Sequence, residues 1–319
     1  MIRRYALLAV QAVVTLALLW VLFRGFDWAA FRSTLAQLSP VFYAGAVSAL
    51  TAGFLLYAWR WHAVLGGMGL AVSYRDVVRQ SLIGIFFGNL MPSAVGGDAA
   101  KVYYLGRRVG YVQVGASVLV DRFLGFLWLS VLGAGLAWTV GAPTPMLVFN
   151  RNLLSGFALV FVTMLAAIWI VPINRLVPGF MRRGRLAPAV SWVEDLAGAV
   201  RLGGCRPRTL AISGAVVLSY IVLMSVVYQR YFAASGGVVP GLLMIMNAIV
   251  SMSVLINVPI SVNGIGLREQ LHYLLFAEMG LSKEVSVSLS LLVFSYSLVL
   301  SVVGYVLWLR LRPEAKQPA

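Results

Sequence analysis

The chain has 319 residues, 61% of them hydrophobic and 11% charged, with a mean hydropathy of +0.91; this is too apolar for one or two water-soluble domains and points to an all-α, polytopic integral membrane bundle. The net charge of +15 does not indicate nucleic acid, because the basic residues fall in short loops between apolar runs, where they set topology and attract anionic lipid at ~1 kcal/mol per Lys or Arg near the surface. One cysteine, Cys205, and two histidines, His62 and His272, argue against a disulfide framework and against a thiolate or His-rich metal centre, and no cofactor is expected.

Crossing the ~30 Å hydrocarbon core takes roughly 18 or more apolar residues. The first such run, Tyr5 to Phe23, follows Arg3 and Arg4, which places the N-terminus in the cytoplasm. It exceeds a signal h-region and lacks a small-x-small cleavage site, so it reads as a retained span. A loop with Arg24, Asp27, Arg32 and Pro40 then faces out, and Val41 to Trp59 returns to a cytoplasmic cluster of Arg60, His62, Arg75 and Arg79. Ser81 to Pro92 is too short to cross and stops at "NLMPSAVGGD"; Lys101, Arg107 and Arg108 bring the chain back to the same side, as in a re-entrant hairpin. Spans at Ser117 to Val140 and Leu153 to Val171 flank a short outer loop with Pro143, Pro145 and Arg151. The basic stretch 174–208 is a cytoplasmic connector in which Val193, Leu196, Ala197 and Val200 give the period of a helix lying in the interface.

A fifth span, Leu210 to Tyr228, leads through Arg230 and Gly236 to Leu242 to Pro259, which ends in "NVPISVNGIGLRE" before Leu271 to Ala277 returns. Val287 to Leu309 is the last span, and Arg310, Arg312 and Lys316 put the C-terminus beside the N-terminus in the cytoplasm. The count is six crossings plus two re-entrant hairpins, or eight segments if the hairpins cross.

The two interrupted segments share a plan: an apolar half-helix, Asn, Pro, glycines, then an acid near a base. Each follows two spans and precedes a third, so units of about 1–140 and 153–310 would be inverted repeats, the plan of many secondary transporters with a midplane site. Asn-Pro-Gly runs leave amides and carbonyls unpaired, and such backbone survives at membrane depth only in protein or around a water-filled cavity. The candidate substrate-binding set is therefore Asn89, Pro92, Gly96, Gly97, Asp98 and Lys101 from the first motif, Asp121 and Arg122 from the third span, and Asn257, Pro259, Asn263, Gly264, Gly266, Arg268 and Glu269 from the second motif.

Only ten acids occur in the chain, and an intramembrane carboxylate marks a functional site by default. Asp98 either caps the helix after its glycines or holds a base or headgroup. Arg268 and Glu269 either brace the hairpin as an ion pair or touch lipid phosphate. Asp121 and Arg122, as neighbours on one helix, must reach different segments. Arg60, between two tryptophans, reads as an interfacial anchor. No nucleophile elbow, Walker loop or dinucleotide fingerprint is present, so no catalytic residue is assigned and an enzyme is not expected.

The stretches "WRWHAVL" (59–65), "NLMPSAVGGDAAKVYYL" (89–105), "VLVDRFLGF" (118–126) and "NVPISVNGIGLRE" (257–269) resemble the lysylphosphatidylglycerol synthase transmembrane region family, also called flippase-like domain proteins. The resemblance spans nearly the whole chain. It implies a bacterial inner-membrane protein related to the flippase half of the multiple peptide resistance factor, which moves aminoacylated phosphatidylglycerol between leaflets; relatives include archaeal glycosylation-linked and hopanoid-cluster proteins. Where that family often carries Arg after the first motif this chain has Lys101, which keeps the charge and loses bidentate geometry. The chain ends at Ala319 soon after its last span, so no aminoacyl-transferase domain is expected. The expected function is a lipid translocase working by alternating access; the alternatives are a lipid-binding membrane partner of a separate synthase and a lipid-modifying enzyme. Expected partners are membrane lipids, anionic or aminoacylated, with a lipid synthase or a second copy of the chain as further candidates, and no nucleic acid.

Overall fold

A computed structural model describes residues 2–91, 95–141, 144–170, 198, 201, 206–257 and 261–311. Among these residues the fold is eleven α-helices and one 3-10 turn, with no strand. Pro92 and Pro259 lie outside the described residues, as does nearly all of the connector expected at 174–208.

Helix α1 (Ile2–Phe23) is followed at 83° by α2 (Trp28–Ala36), so most of the expected outer loop is helical. Asp27 sets this start, its Oδ1 accepting from the amides of Ala29 (2.8 Å) and Ala30 (3.0 Å), while Trp28 stacks on Phe23 across the bend at 5.4 Å. Ser39 caps α3 (Pro40–Gly67), with Pro40 in the first turn where its missing N–H costs nothing. Helix α3 runs on past Trp59 to Gly67 without a break. That continuation carries Arg60 inside the bundle.

The first interrupted segment is α4 (Tyr74–Leu90) and α5 (Val95–Val109), which pack against each other as a hairpin. Long helices α6 (Tyr111–Val140) and α7 (Pro145–Ile170) follow, and α7 begins earlier than the apolar run because Arg151 sits inside it, stacked over Trp138 at 4.3 Å. After α8 (Pro207–Ala234) comes the second interruption: α9 (Leu242–Leu255), a 3-10 turn (Val262–Gly264) and α10 (Leu267–Ala277). Helix α11 (Lys283–Leu311) completes the described fold.

Among the described residues five helices, α3, α6, α7, α8 and α11, are long and apolar enough to span a bilayer, and counting the bent α1–α2 pair as one span gives six. Their outward faces carry Leu159, Val160, Val162 and Met164 on α7 and Val299, Val302 and Val303 on α11, an apolar exposure suited to lipid and far beyond what a soluble monomer shows.

Helix pairings of the second half repeat those of the first with the halves exchanged. Helix α3 packs on α8; α4 packs on α11, and α9 packs on α6. The α4–α11 seam is backbone against backbone: a Cβ on Gly304 would stand 2.1 Å from the carbonyl oxygen of Leu82, the close approach that small residues permit between membrane helices. The α9 seat is partly polar, since the Asn150 side-chain amide donates to Asn247 Oδ1 at 2.9 Å and ties α7 to α9. Tyr231, Phe232, Ile245 and Phe276 fill the space between α8, α9 and α10.

Candidate functional site

The tips of the two interrupted segments meet. Asn263 Nδ2 donates to Asn89 Oδ1 at 3.1 Å, and Asn89 Nδ2 donates to the Ser297 hydroxyl (3.1 Å) and carbonyl (3.3 Å) on α11. Asn263 holds φ +50°, the one positive value at a non-glycine among the described residues, a conformation that asparagine tolerates better than most. Gly264 and Gly266 continue the turn at φ +72° and +79°. Asn257, which occupies the place of Asn89 in the shared plan of the two segments, does not join this junction; it donates to the Ser253 carbonyl at 2.7 Å as a continuation of α9.

Beside this junction is a cavity of about 440 Å³ lined by α3, α4, α5 and α6, with Asn263 and Ser297 closing one side. Its charged lining is Arg60, Lys101 and Arg122 against Asp98 and Asp121. Asp121 and Arg122 are adjacent on α6 and therefore diverge by about 100° around it. Asp121 receives Arg60 from α3 in a fork, Nε to Oδ1 at 2.8 Å and Nη2 to Oδ2 at 2.9 Å. Arg122 turns the other way and pairs with Asp98 on α5. Lys101, one turn along α5, reaches the same carboxylate at 3.6 Å and also faces the Trp61 ring at 5.2 Å. Asp98 is not an N-cap, because α5 begins at Val95; it stands in the first turn, where the helix dipole adds to the field of its two cations.

Arg60 is a correction to the sequence reading. Its side chain is 7% exposed, its guanidinium lies over the Tyr57 ring at 4.8 Å, and neighbouring Trp61 donates to Ser117 on α6 at 3.1 Å. Of the flanking tryptophans, Trp61 faces a helix rather than headgroups, while Trp59 is 44% exposed on the outer face. The signal that was available is the apolar continuation "AVLGG" after His62, which extends the helix and moves Arg60 toward its middle.

Gly97 lines the cavity and also serves the hairpin: a Cβ there would lie 2.4 Å from the Gly84 carbonyl oxygen, so its absence lets α4 and α5 close. Gly96 packs as tightly on Met91. In the second segment, Glu269 is consumed locally. Its Oε2 accepts from the Gly266 amide at 2.8 Å, and its Oε1 accepts from Arg268 Nε (2.9 Å) and Nη2 (2.7 Å) and from the Ser290 hydroxyl (3.2 Å). Arg268 lies over Phe294 at 4.0 Å. Neither residue is among those lining the cavity; of the two readings left open, the brace is the one their contacts describe. His272 is equally committed, Nδ1 donating to the Arg268 carbonyl at 2.8 Å, which leaves Nε2 to accept from the Tyr228 hydroxyl at 3.1 Å.

A family model described as the lysylphosphatidylglycerol synthase TM region matches residues 8–304. The chain belongs to this family. The family match takes in every element from α1 to most of α11, and hence the whole of the cavity. A similar protein is the UPF0104 membrane protein PH1989 of Pyrococcus horikoshii, 24% identical over 320 residues, with 91% of each chain covered. No solved structure matches the chain.

Proposed function

We propose that the protein is a flippase-like lipid translocase of the bacterial inner membrane, with both termini cytoplasmic, and that the cavity between the hairpin tips passes a polar headgroup while the acyl chains stay in lipid. The observation that carries this reading is five charged side chains gathered on one cavity at the junction of two broken helices, in a chain that is otherwise a bundle of apolar spans. Charges are retained inside a membrane protein where they meet a polar cargo or one another. Here they meet one another, and the pairs around Asp98 are partly exposed, Asp98 being 17% and Lys101 24% exposed, so exchange of these with a headgroup does not require unburying them. The exchanged helix pairings support an inverted repeat, with alternating access as the mode of transport.

The test is reconstitution of the full chain into liposomes carrying headgroup-labelled phosphatidylglycerol in the inner leaflet. Wild type is expected to expose the label to an external quencher, and Arg122→Ala to leave it protected. Label that stays protected with wild type would overturn the translocase reading and favour a protein that only holds lipid for a synthase.

A further inference from the structure

A second cavity, of about 290 Å³, adjoins the first through a shared wall of Tyr57, Arg60 and Arg122. The rest of its lining comes from α6, α8 and the end of α9 and includes Gly125, Tyr220, Ser253 and Asn257. The charge distribution is asymmetric. Asp98 and Asp121 line the larger cavity alone, whereas the smaller has the two arginines and, among the described residues, no carboxylate in its lining.

Arg60 supplies an independent sign of a ligand. Its Nε and Nη2 are held by Asp121, but the buried Nη1 has no hydrogen-bond partner. That nitrogen faces Gly125 of the second cavity so closely that a Cβ there would stand 2.8 Å from it. A buried charged donor without an acceptor is disfavoured, and native structures seldom leave one. An acceptor brought by a ligand resolves it, and a guanidinium edge suits a phosphate oxygen.

We propose that the second cavity is a phosphate subsite, and that the cargo is a phosphodiester headgroup carrying one negative charge and no ammonium. The inference rests on the lipid reading above. Among the described residues the two cavities together hold Arg60, Lys101 and Arg122 against Asp98 and Asp121, a surplus of one positive charge. A phosphodiester monoanion cancels that surplus. A zwitterionic headgroup leaves it, and a lysylated one doubles it, which a low-dielectric site penalises. Nor is there, among the described residues lining the cavities, a spare carboxylate for an ammonium, because Asp121 is taken by Arg60 and Asp98 by Arg122 and Lys101.

Calorimetric titration of the detergent-solubilised full chain tests this with three probes: dihexanoyl phosphatidylglycerol, its lysyl ester and inorganic phosphate. The unmodified lipid is expected to bind at least about tenfold tighter than the lysyl ester, and Gly125→Ala, which crowds Nη1, to weaken it by about tenfold, the size of one charge-assisted hydrogen bond. Equal or tighter binding of the lysyl ester overturns the proposal, as does unchanged binding in a folded Gly125→Ala protein. Inorganic phosphate binding as tightly as the lipid overturns a lipid headgroup as the source of the anion. The wild-type order of preference needs no variant, so a folding failure of Gly125→Ala leaves the test intact. Anion binding in this order without lipid movement in liposomes would sink the translocase reading alone; lipid movement with a lysyl preference would sink this subsite alone.

Discussion

The two broken helices use the same residue types for different ends. In the first, Asp98 and Lys101 look outward from α5 across a cavity and find their other partner, Arg122, on α6. In the second, Arg268 and Glu269 close on each other and on the turn that precedes them, with side chains 14% and 3% exposed. An acid beside a base after a glycine turn is thus not one motif but two. What separates them is the number of competing acceptors and donors nearby: Glu269 already receives a backbone amide, a guanidinium and a hydroxyl, so nothing is left over for a ligand. Charges held between elements can be exchanged; charges spent within one element hold its shape.

This contrast can be broken by substitution. The largest effect is expected for Glu269→Ala, which strips a buried cation and a backbone amide of their acceptor; loss of ~3–5 kcal/mol is expected from breaking a buried pair, seen as a large drop in the thermal unfolding midpoint in detergent. If that variant unfolds like wild type yet stops moving lipid, the brace reading is wrong. Next comes Gly97→Ala, whose new methyl meets the Gly84 carbonyl; forcing the hairpin apart should cost about 1–3 kcal/mol, with a matching loss of protease resistance. Asn263→Gly keeps the positive φ but removes the bond to Asn89, for an expected ~0.5–1.5 kcal/mol and a change in the rate of lipid movement. The smallest stability change, within about 1 kcal/mol because the cluster is partly exposed, is expected for Asp98→Asn. Its transport should nonetheless fall roughly tenfold or more, the worth of one charge-assisted bond. A variant of Asp98 that unfolds as readily as Glu269→Ala would erase the distinction between the two segments.

Much of this architecture was legible in the residues. Apolar runs marked the spans, and the Asn-Pro-Gly interruptions marked the breaks, because helix period and helix breaking are local properties. The divergence of Asp121 and Arg122 was also legible, since successive residues on a helix point about 100° apart. Pairings across the bundle were not. Arg60 looked interfacial because tryptophans flank it, and only the continuation of α3 to Gly67 shows that Trp61 faces Ser117 and that Arg60 lines a cavity. The meeting of Asn89 with Asn263 was not legible either, because it depends on how far the turn after α9 reaches into the junction. The helix at Trp28–Ala36 was missed because a nine-residue helix carries too few turns to stand out between two spans.

The exchanged seats of the hairpins have a consequence for how the chain can be divided. Helix α4 touches backbone to backbone with α11, and α9 lies on α6, so each half of the sequence supplies the surface on which the other half's broken helix rests. A fragment ending after α6 would carry a hairpin whose outer face has nothing to cover it, and the fragment from α7 onward would share the defect. Neither half is a free-standing unit: co-expressed fragments should be recovered together or hardly at all.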